Sequence, residues 1–233
     1  MALYTISDLH LSFGTDKPMN VFYGWDNYTE RILANWNRIV SPDDTVVIPG
    51  DISWGLKLNE TEADFDFLNK LNGKKIIAKG NHDYWWSTVT KIKQFLNEKE
   101  FSTIDILFNN AFLVDGFSVC GTRGWLYDGT TQRDEKVILR ECGRLEQSIK
   151  TGIELGGKLV VFLHYPFAYG EFVCEEILAI LKQYNITDVF YGHIHGSGFN
   201  KSLKEYDGIK MHLISCDCTD FSPISVSALL KNR

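Results

Sequence analysis

Five of the six histidines in this 233-residue chain fall in short polar blocks: Asp8-Leu9-His10, Gly80-Asn81-His82-Asp83, His164 and Gly192-His193-Ile194-His195. Gly50-Asp51 is a further block of the same kind. Imidazole nitrogens combined with carboxylate oxygens and one amide oxygen suit borderline divalent ions such as Mn²⁺, Fe²⁺ or Zn²⁺, whereas a calcium site would want oxygen alone. A lone histidine is more often a satisfied structural residue than a ligand. Five in equivalent positions are hard to explain that way. Glycine precedes Asp51, Asn81 and His193, where a side chain would block close approach of backbone to a metal or a phosphate.

The elements that must position these residues are short apolar runs rich in β-branched residues, separated by helical patterns. Strands are predicted over residues 3–7, 45–48, 75–79, 159–163 and 188–191, and each runs into one of the blocks. Loops that follow strand C-termini in an α/β sheet converge on one edge, so residues distant in sequence can share a site there. Tyr28, Ile32, Trp36 and Ile39 repeat at helical spacing, as do Phe65, Leu68 and Leu71 behind a capping signal at 61–64. Further helices are expected from Ser87, through Ile138, Cys142, Leu145 and Ile149, and from Cys174 to Tyr184. Residues 101–122 suggest antiparallel hairpins, and 211–215 and 224–230 two terminal strands, so the sheets should be mixed.

Composition sets the bounds. Apolar residues at 44% and charged residues at 23% are ordinary for a soluble globular protein. The length allows a large core, and no repeat or linker divides it, so one domain is expected over residues 1–233. A net charge of −6 disfavours non-specific binding to nucleic acid or anionic lipid. No apolar run approaches the roughly twenty residues of a membrane helix, and no basic signal region opens the chain; a cytoplasmic protein is expected. Five cysteines, an odd number, read most simply as reduced thiols. Cys216, Cys218 and His212 offer an alternative zinc site, but with only three ligands close in sequence.

The ordered series D-x-H, G-D, G-N-H-D, H and G-H-x-H resembles the calcineurin-like metallophosphoesterase superfamily, with all five blocks in order between Asp8 and His195. The resemblance implies a four-layered α/β/β/α sandwich, two mixed sheets flanked by helices, which is the metallo-dependent phosphatase fold. It also implies two divalent metal ions, one held by Asp8, His10, Asp51 and His195 and the other by Asp51, Asn81, His164 and His193. Asp51 is then the bridge, and the pair of ions clamps a phosphate oxygen and acidifies a shared water for attack on phosphorus. By the same resemblance His82 faces the phosphate as an acid or charge stabiliser, with Asp83 placed to orient it. Asp83 can equally be read as a turn or N-cap carboxylate ahead of the Ser87 helix.

The chain departs from the superfamily's protein phosphatases, whose second block continues G-D-x-x-D-R-G. Here it reads Gly50-Asp51-Ile52-Ser53-Trp54-Gly55-Leu56, without the arginine, and the third block ends in Asp83 rather than Glu. The resemblance is therefore to the small bacterial-type phosphodiesterases and phosphatases. Arg123, in Gly121-Thr122-Arg123-Gly124-Trp125, is the candidate cation for phosphate beside Asn81, or else a surface arginine of a hairpin loop. Aromatics crowd the same loops (Phe13, Tyr23, Trp25, Trp54, Tyr84, Trp85, Trp86, Trp125, Tyr127, Tyr165, Phe167, Tyr169) and could stack on a ring of the substrate. A small phosphodiester or nucleotide-like ester is the expected substrate. Phosphomonoesterase and nuclease are the enzyme alternatives, though Lys74, Lys75 and Lys79 make no convincing track for extended nucleic acid. A non-catalytic scaffold is the alternative of another class; such losses usually erase ligands, and all seven positions are intact. Nothing in the sequence specifies an oligomeric state.

Overall fold

The computed structural model describes residues 1–125 and 134–231. In chain order it contains β1 (Leu3–Thr5), α1 (Tyr28–Ile39), β2 (Thr45–Ile48), α2 (Glu62–Lys70), β3 (Lys74–Ile77), α3 (Val89–Glu98), β4 (Ile104–Ile106), β5 (Phe112–Val114) and β6 (Phe117–Thr122). There follow α4 (Glu135–Leu155), β7 (Lys158–Leu163), β8 (Ala168–Tyr169), β9 (Phe172–Val173), α5 (Glu175–Gln183), β10 (Asp188–Tyr191), β11 (Glu205–Tyr206), β12 (Ile209–Leu213), β13 (Ile224–Ser225) and α6 (Val226–Lys231). One sheet has the order β13-β1-β2-β3-β4 and the other β11-β12-β10-β7-β6-β5. Both are parallel at their centres with antiparallel strands at the rim, β13 in the first, β11 and β5 in the second.

The period of two along each strand builds the layers. In β2, Val46 and Ile48 face Ile32, Trp36, Phe65 and Leu68 of α1 and α2, while Val47 faces the other way. In β7, Val160 and Phe162 meet Val47 and Ile76 across the sheet interface, and Val161 and Leu163 meet Leu145 and Ile149 of α4. The result is helix, sheet, sheet, helix, the four-layered mixed sandwich expected from the resemblance. Trp36 and Phe65 are fully buried, each contributing roughly 1.5–3 kcal/mol of apolar transfer.

Three expectations need correction. The 101–122 segment forms one hairpin, β5 to β6 across Asp115 and Gly116, both at positive φ (51° and 78°). β4, however, lies parallel to β3 in the other sheet, because the Asn109-Asn110 turn carries the chain between sheets. The Asn110 side chain holds that turn by accepting from the Phe108 N–H (2.7 Å) and donating to the Ile106 carbonyl (3.1 Å). Residues 224–230 are a strand only at Ile224–Ser225, and α6 takes over; Val226 and Leu230, spaced i and i+4, are both buried against the inter-sheet core. The 61–64 capping signal is not used as a cap. The Thr61 hydroxyl donates to the Leu58 carbonyl (2.8 Å), and Asp64 is buried among loops of the site.

Candidate metal centre

Every block lies just beyond the C-terminal end of a parallel strand: Asp8 and His10 after β1, Asp51 after β2, Asn81 and His82 after β3, His164 after β7, His193 and His195 after β10. Asp8, His10, Asp51 and His193 hold φ of 60°, 47°, 51° and 70°, a left-handed region costly for residues with a Cβ and concentrated at functional sites. A Cβ on Gly80 would run into the carboxylate and backbone N of Asp51, and one on Gly192 into the Asp8 carboxylate. The glycines therefore let neighbouring strand ends close on one another.

The seven ligand candidates converge. His10 Nε2 and His195 Nε2 are 3.4 Å apart, with His195 Nε2 3.7 Å from Asp8 Oδ1 and His10 Nε2 3.8 Å from Asp51 Oδ2. The same Asp51 oxygen is 3.5 Å from His164 Nε2, which lies 2.6 Å from Asn81 Oδ1, itself 2.9 Å from His193 Nδ1. Asp51 Oδ2 thus stands between the two imidazole groups, while its Oδ1 accepts from the His82 backbone N–H (2.8 Å). Asp8 is oriented by the Ser215 hydroxyl and the His193 N–H, each donating at 3.0 Å to Oδ2.

The electrostatics fit cations. Burial, then the charges of Asp8 and Asp83, push the Asp51 carboxyl well above its usual range. No Lys or Arg ion pair reaches Asp8 or Asp51 among the described residues. Burial also pushes His10 down to about 3 and His164 well below the usual imidazole value. Those rings are neutral with lone pairs free for a metal, and His164 Nδ1 has no hydrogen-bond partner. His195 goes the other way. Burial opposes its charge, but hydrogen bonds to Asp217 and Asp8 hold it up at about 10. The surrounding carboxylates favour positive charge at that point, whether a proton or a metal ion supplies it.

Two residues that the blocks did not include build the site. Asp217 accepts from the ring of His195 at Nδ1 (2.8 Å) and so turns Nε2 toward Asp8. It lies in the loop beyond β12, the same strand-end signal as the other blocks but without a histidine to mark it. Asp64 of α2 accepts from the Phe13 N–H (2.7 Å) and from the Ser53 hydroxyl, tying the loop after His10 to the loop after Asp51.

Other assignments change. Asp83 neither orients the His82 ring nor caps α3, whose N-cap is Thr88. It is fully buried and accepts from the N–H groups of Asp51, Ile52, Ser53 and Gly80 and from the Trp85 indole. With five donors converging on two oxygens, nothing is left for His82, whose buried Nδ1 has no partner. Arg123 is neither a surface side chain nor part of the cavity beside His82. Its carbonyl accepts from the N–H groups of His164 (3.1 Å) and Tyr165 (2.9 Å), and its guanidinium lies 4.0 Å from Glu141 and over Trp125. The zinc alternative is dispersed: the Cys216 thiol donates to the Asp8 carbonyl (2.9 Å), while His212 stacks on Phe190 and meets Asp188.

An open cavity of about 660 Å³ adjoins this cluster, lined by His10, His82 and His195 and walled by Met19, Phe22, Tyr23, Trp25 and Trp54. Trp54 stacks on His10 (4.9 Å, 23°), and Lys17 Nζ lies 4.8 Å over the Trp54 ring. Trp85 and Phe167 are instead core residues, and Tyr127 lies outside the described residues.

The family model described as calcineurin-like phosphoesterase matches residues 1–197. An uncharacterised protein of Methanocaldococcus jannaschii, MJ1445, is 29% identical over 86 residues, 35% of this chain and 46% of that protein. The chain thus spans about half the length of that curated relative. A protein of unknown function from Aquifex aeolicus, AQ665, superposes with a TM-score of 0.58 at 20% identity over 100% of this chain and 99% of its own. TT1561 of Thermus thermophilus superposes at 0.56 and 13% identity over 96% of each chain. Phosphopantetheinyl hydrolase of Mycobacterium tuberculosis superposes at 0.50 and 18% identity over 92% of this chain and 88% of its own. At these identities the structural likenesses show the fold alone.

Proposed function

The chain belongs to the calcineurin-like phosphoesterase family, and from that premise we propose that it is a dinuclear metal-dependent phosphodiesterase acting on a small, ring-bearing, nucleotide-like ester. The observation that carries the reading is the pair of donor groups meeting at one Asp51 oxygen. Asp8, His10, Asp51 and His195 would hold one cation, and Asp51, Asn81, His164 and His193 the other, with Mn²⁺, Fe²⁺ or Zn²⁺ suited to these donors. When bound, two such ions supply Lewis acidity toward a phosphate oxygen and bring a water's pKa near neutrality for attack on phosphorus.

The chain's own residues supply the rest. His82 lines the cavity and is held by its backbone N–H on Asp51; it stabilises charge developing on the phosphate or protonates the departing oxygen, the second against burial that lowers its pKa. Trp25, buried, backs one wall with Trp54 and excludes water from it, and the exposed Phe22 and Tyr23 offer faces for a ring. The diester preference follows from charge. A monoester dianion asks for cationic side chains beyond the metals, and among the described residues no arginine lines the cavity. We read the chain as one domain, since the inter-sheet core draws on strands from both halves of it. A reducing, cytoplasmic setting agrees with five cysteines that form no disulfide; no helix among the described residues is long and apolar enough to cross a membrane.

Metal analysis with matched aryl substrates tests the proposal. Chelation should abolish turnover and Mn²⁺ or a similar ion restore it, with kcat/KM higher for the phosphodiester than for the phosphomonoester. Full activity in chelator would refute the metal mechanism, and a clear monoester preference would refute the substrate class.

A further inference from the structure

The ends of β3 and β6 carry cations that the phosphoesterase chemistry leaves unused. Glu141 of α4 is fully buried and accepts from the Thr122 hydroxyl (2.6 Å). Three guanidiniums surround it, those of Arg144 at 2.6 Å, Arg140 at 3.9 Å and Arg123 at 4.0 Å. Lys79, half-buried, stands in the same field, close to the charges of Arg123, Asp83, Glu141 and Arg144. Among the described residues it makes no ion pair or hydrogen bond of its own. Two carboxylates cannot neutralise four cations.

Lys79 and Arg144 line an open cavity of about 530 Å³ with Trp86, Ser87, Thr88 and Phe108. Arg144 lies over the Phe108 ring, 4.6 Å from its centroid, so one side of its guanidinium is fixed by stacking and one nitrogen by Glu141. The remaining donors are free to meet a ligand. Ser87 and Thr88 lead into α3, where the Thr88 hydroxyl caps the Lys91 N–H (3.4 Å) and the helix dipole places partial positive charge at that end. Two side-chain cations of different geometry, two hydroxyls and a helix amino end meet in one cavity large enough for a tetrahedral oxyanion.

We propose that this cavity is a second anion site, built for a phosphate group, and that the group belongs to the substrate. Its position supports the second half. Lys79 stands two residues before Asn81, and the Arg123 carbonyl receives the His164 N–H, so two of the four cations start from the strand ends that carry the metal-ligand candidates. Phosphate binding here stands without the phosphoesterase reading; its use by the substrate rests on that reading. The substrate is then a phosphodiester carrying a further phosphate on the group that is retained.

Calorimetric titration of the metal-loaded protein with inorganic phosphate decides the site. Wild type should bind phosphate at two sites, of which Asp51→Asn removes one, while Lys79→Gln weakens the other by about tenfold or more and Lys79→Arg restores it. Phosphate binding that is indifferent to Lys79→Gln would overturn the site. Two matched aryl phosphodiesters, with and without a phosphate on the retained group, decide its use. Wild type should favour the phosphorylated diester by about tenfold or more in kcat/KM, and Lys79→Gln should erase that preference while leaving the plain diester unchanged. Equal rates in wild type would overturn the substrate assignment and make free phosphate the ligand. Turnover of neither diester would overturn the proposed activity, with the titration still deciding the site.

Discussion

Asp83 shows how much of the centre is built by residues that need not touch a substrate. Its buried carboxylate gathers backbone N–H groups from the loops after β2 and β3 and so fixes Asp51 against Asn81. Asp83→Asn puts an amide NH₂ where donors converge and should lower stability by roughly 2–4 kcal/mol in urea denaturation; an unchanged midpoint would contradict the clamp. Asp51 and His82 separate differently. Asp51→Asn removes the charge that both donor groups share and should reduce occupancy of both metal positions. His82→Asn should keep the metals and slow turnover by roughly 10²- to 10⁴-fold. Metal content measured beside kcat distinguishes the two, and a His82 variant stripped of metal would show the roles to be misassigned.

At the scale of elements, the parallel strands bring their ends together only because the loops begin abruptly. Gly50, at φ 118°, leaves no room for a Cβ between Gly80 and the His164 ring, and Gly80 none before the Asp51 carboxylate. Gly80→Ala should therefore push the loops of β2 and β3 apart. Metal stoichiometry and activity should both fall steeply, with the far-UV circular dichroism unchanged because the strands themselves are untouched. Normal metal content in that variant would mean that the close approach is not required.

Across the whole molecule, pH should act on the metal-free protein from both sides. His195 keeps its proton to about 10 when folded, against an ordinary 6.5. Its contribution is full below pH 6.5 and is lost as the pH climbs toward 10. His10 is held neutral down to about 3, so below its ordinary value the unfolded chain binds the proton more readily and stability falls as acid is added. His164 acts in the same direction. Thermal denaturation in chelator should give a maximum near neutrality with both flanks falling. Saturation with metal should release the His195 proton and raise the alkaline flank, and a profile flat from about pH 5 to 9 would contradict these assignments.

Residue type and order along the chain were enough to place it in the calcineurin-like phosphoesterase family. Imidazoles, carboxylates and an amide stood out behind apolar β-branched runs, but β2 and β7 are apolar on both faces, so the chain order did not say which face packs on helices and which on the second sheet. What the chain order could not carry were contacts made by residues of ordinary type. Asp217 sits in the loop after β12 and meets His195 only because β12 and β10 are neighbours in the sheet. Asp64 looks like a helix cap until α2 is laid over the Phe13 and Ser53 loops. Arg123 and Lys79 come from different sheets and feel each other's charge only because those sheets are packed together. Local sequence determines which atoms can bind a metal and which runs are apolar enough to be buried strands. Partner choice for a carboxylate or a guanidinium is set by hydrogen-bond geometry over a few ångströms, and only the packed sheets bring those atoms within that range.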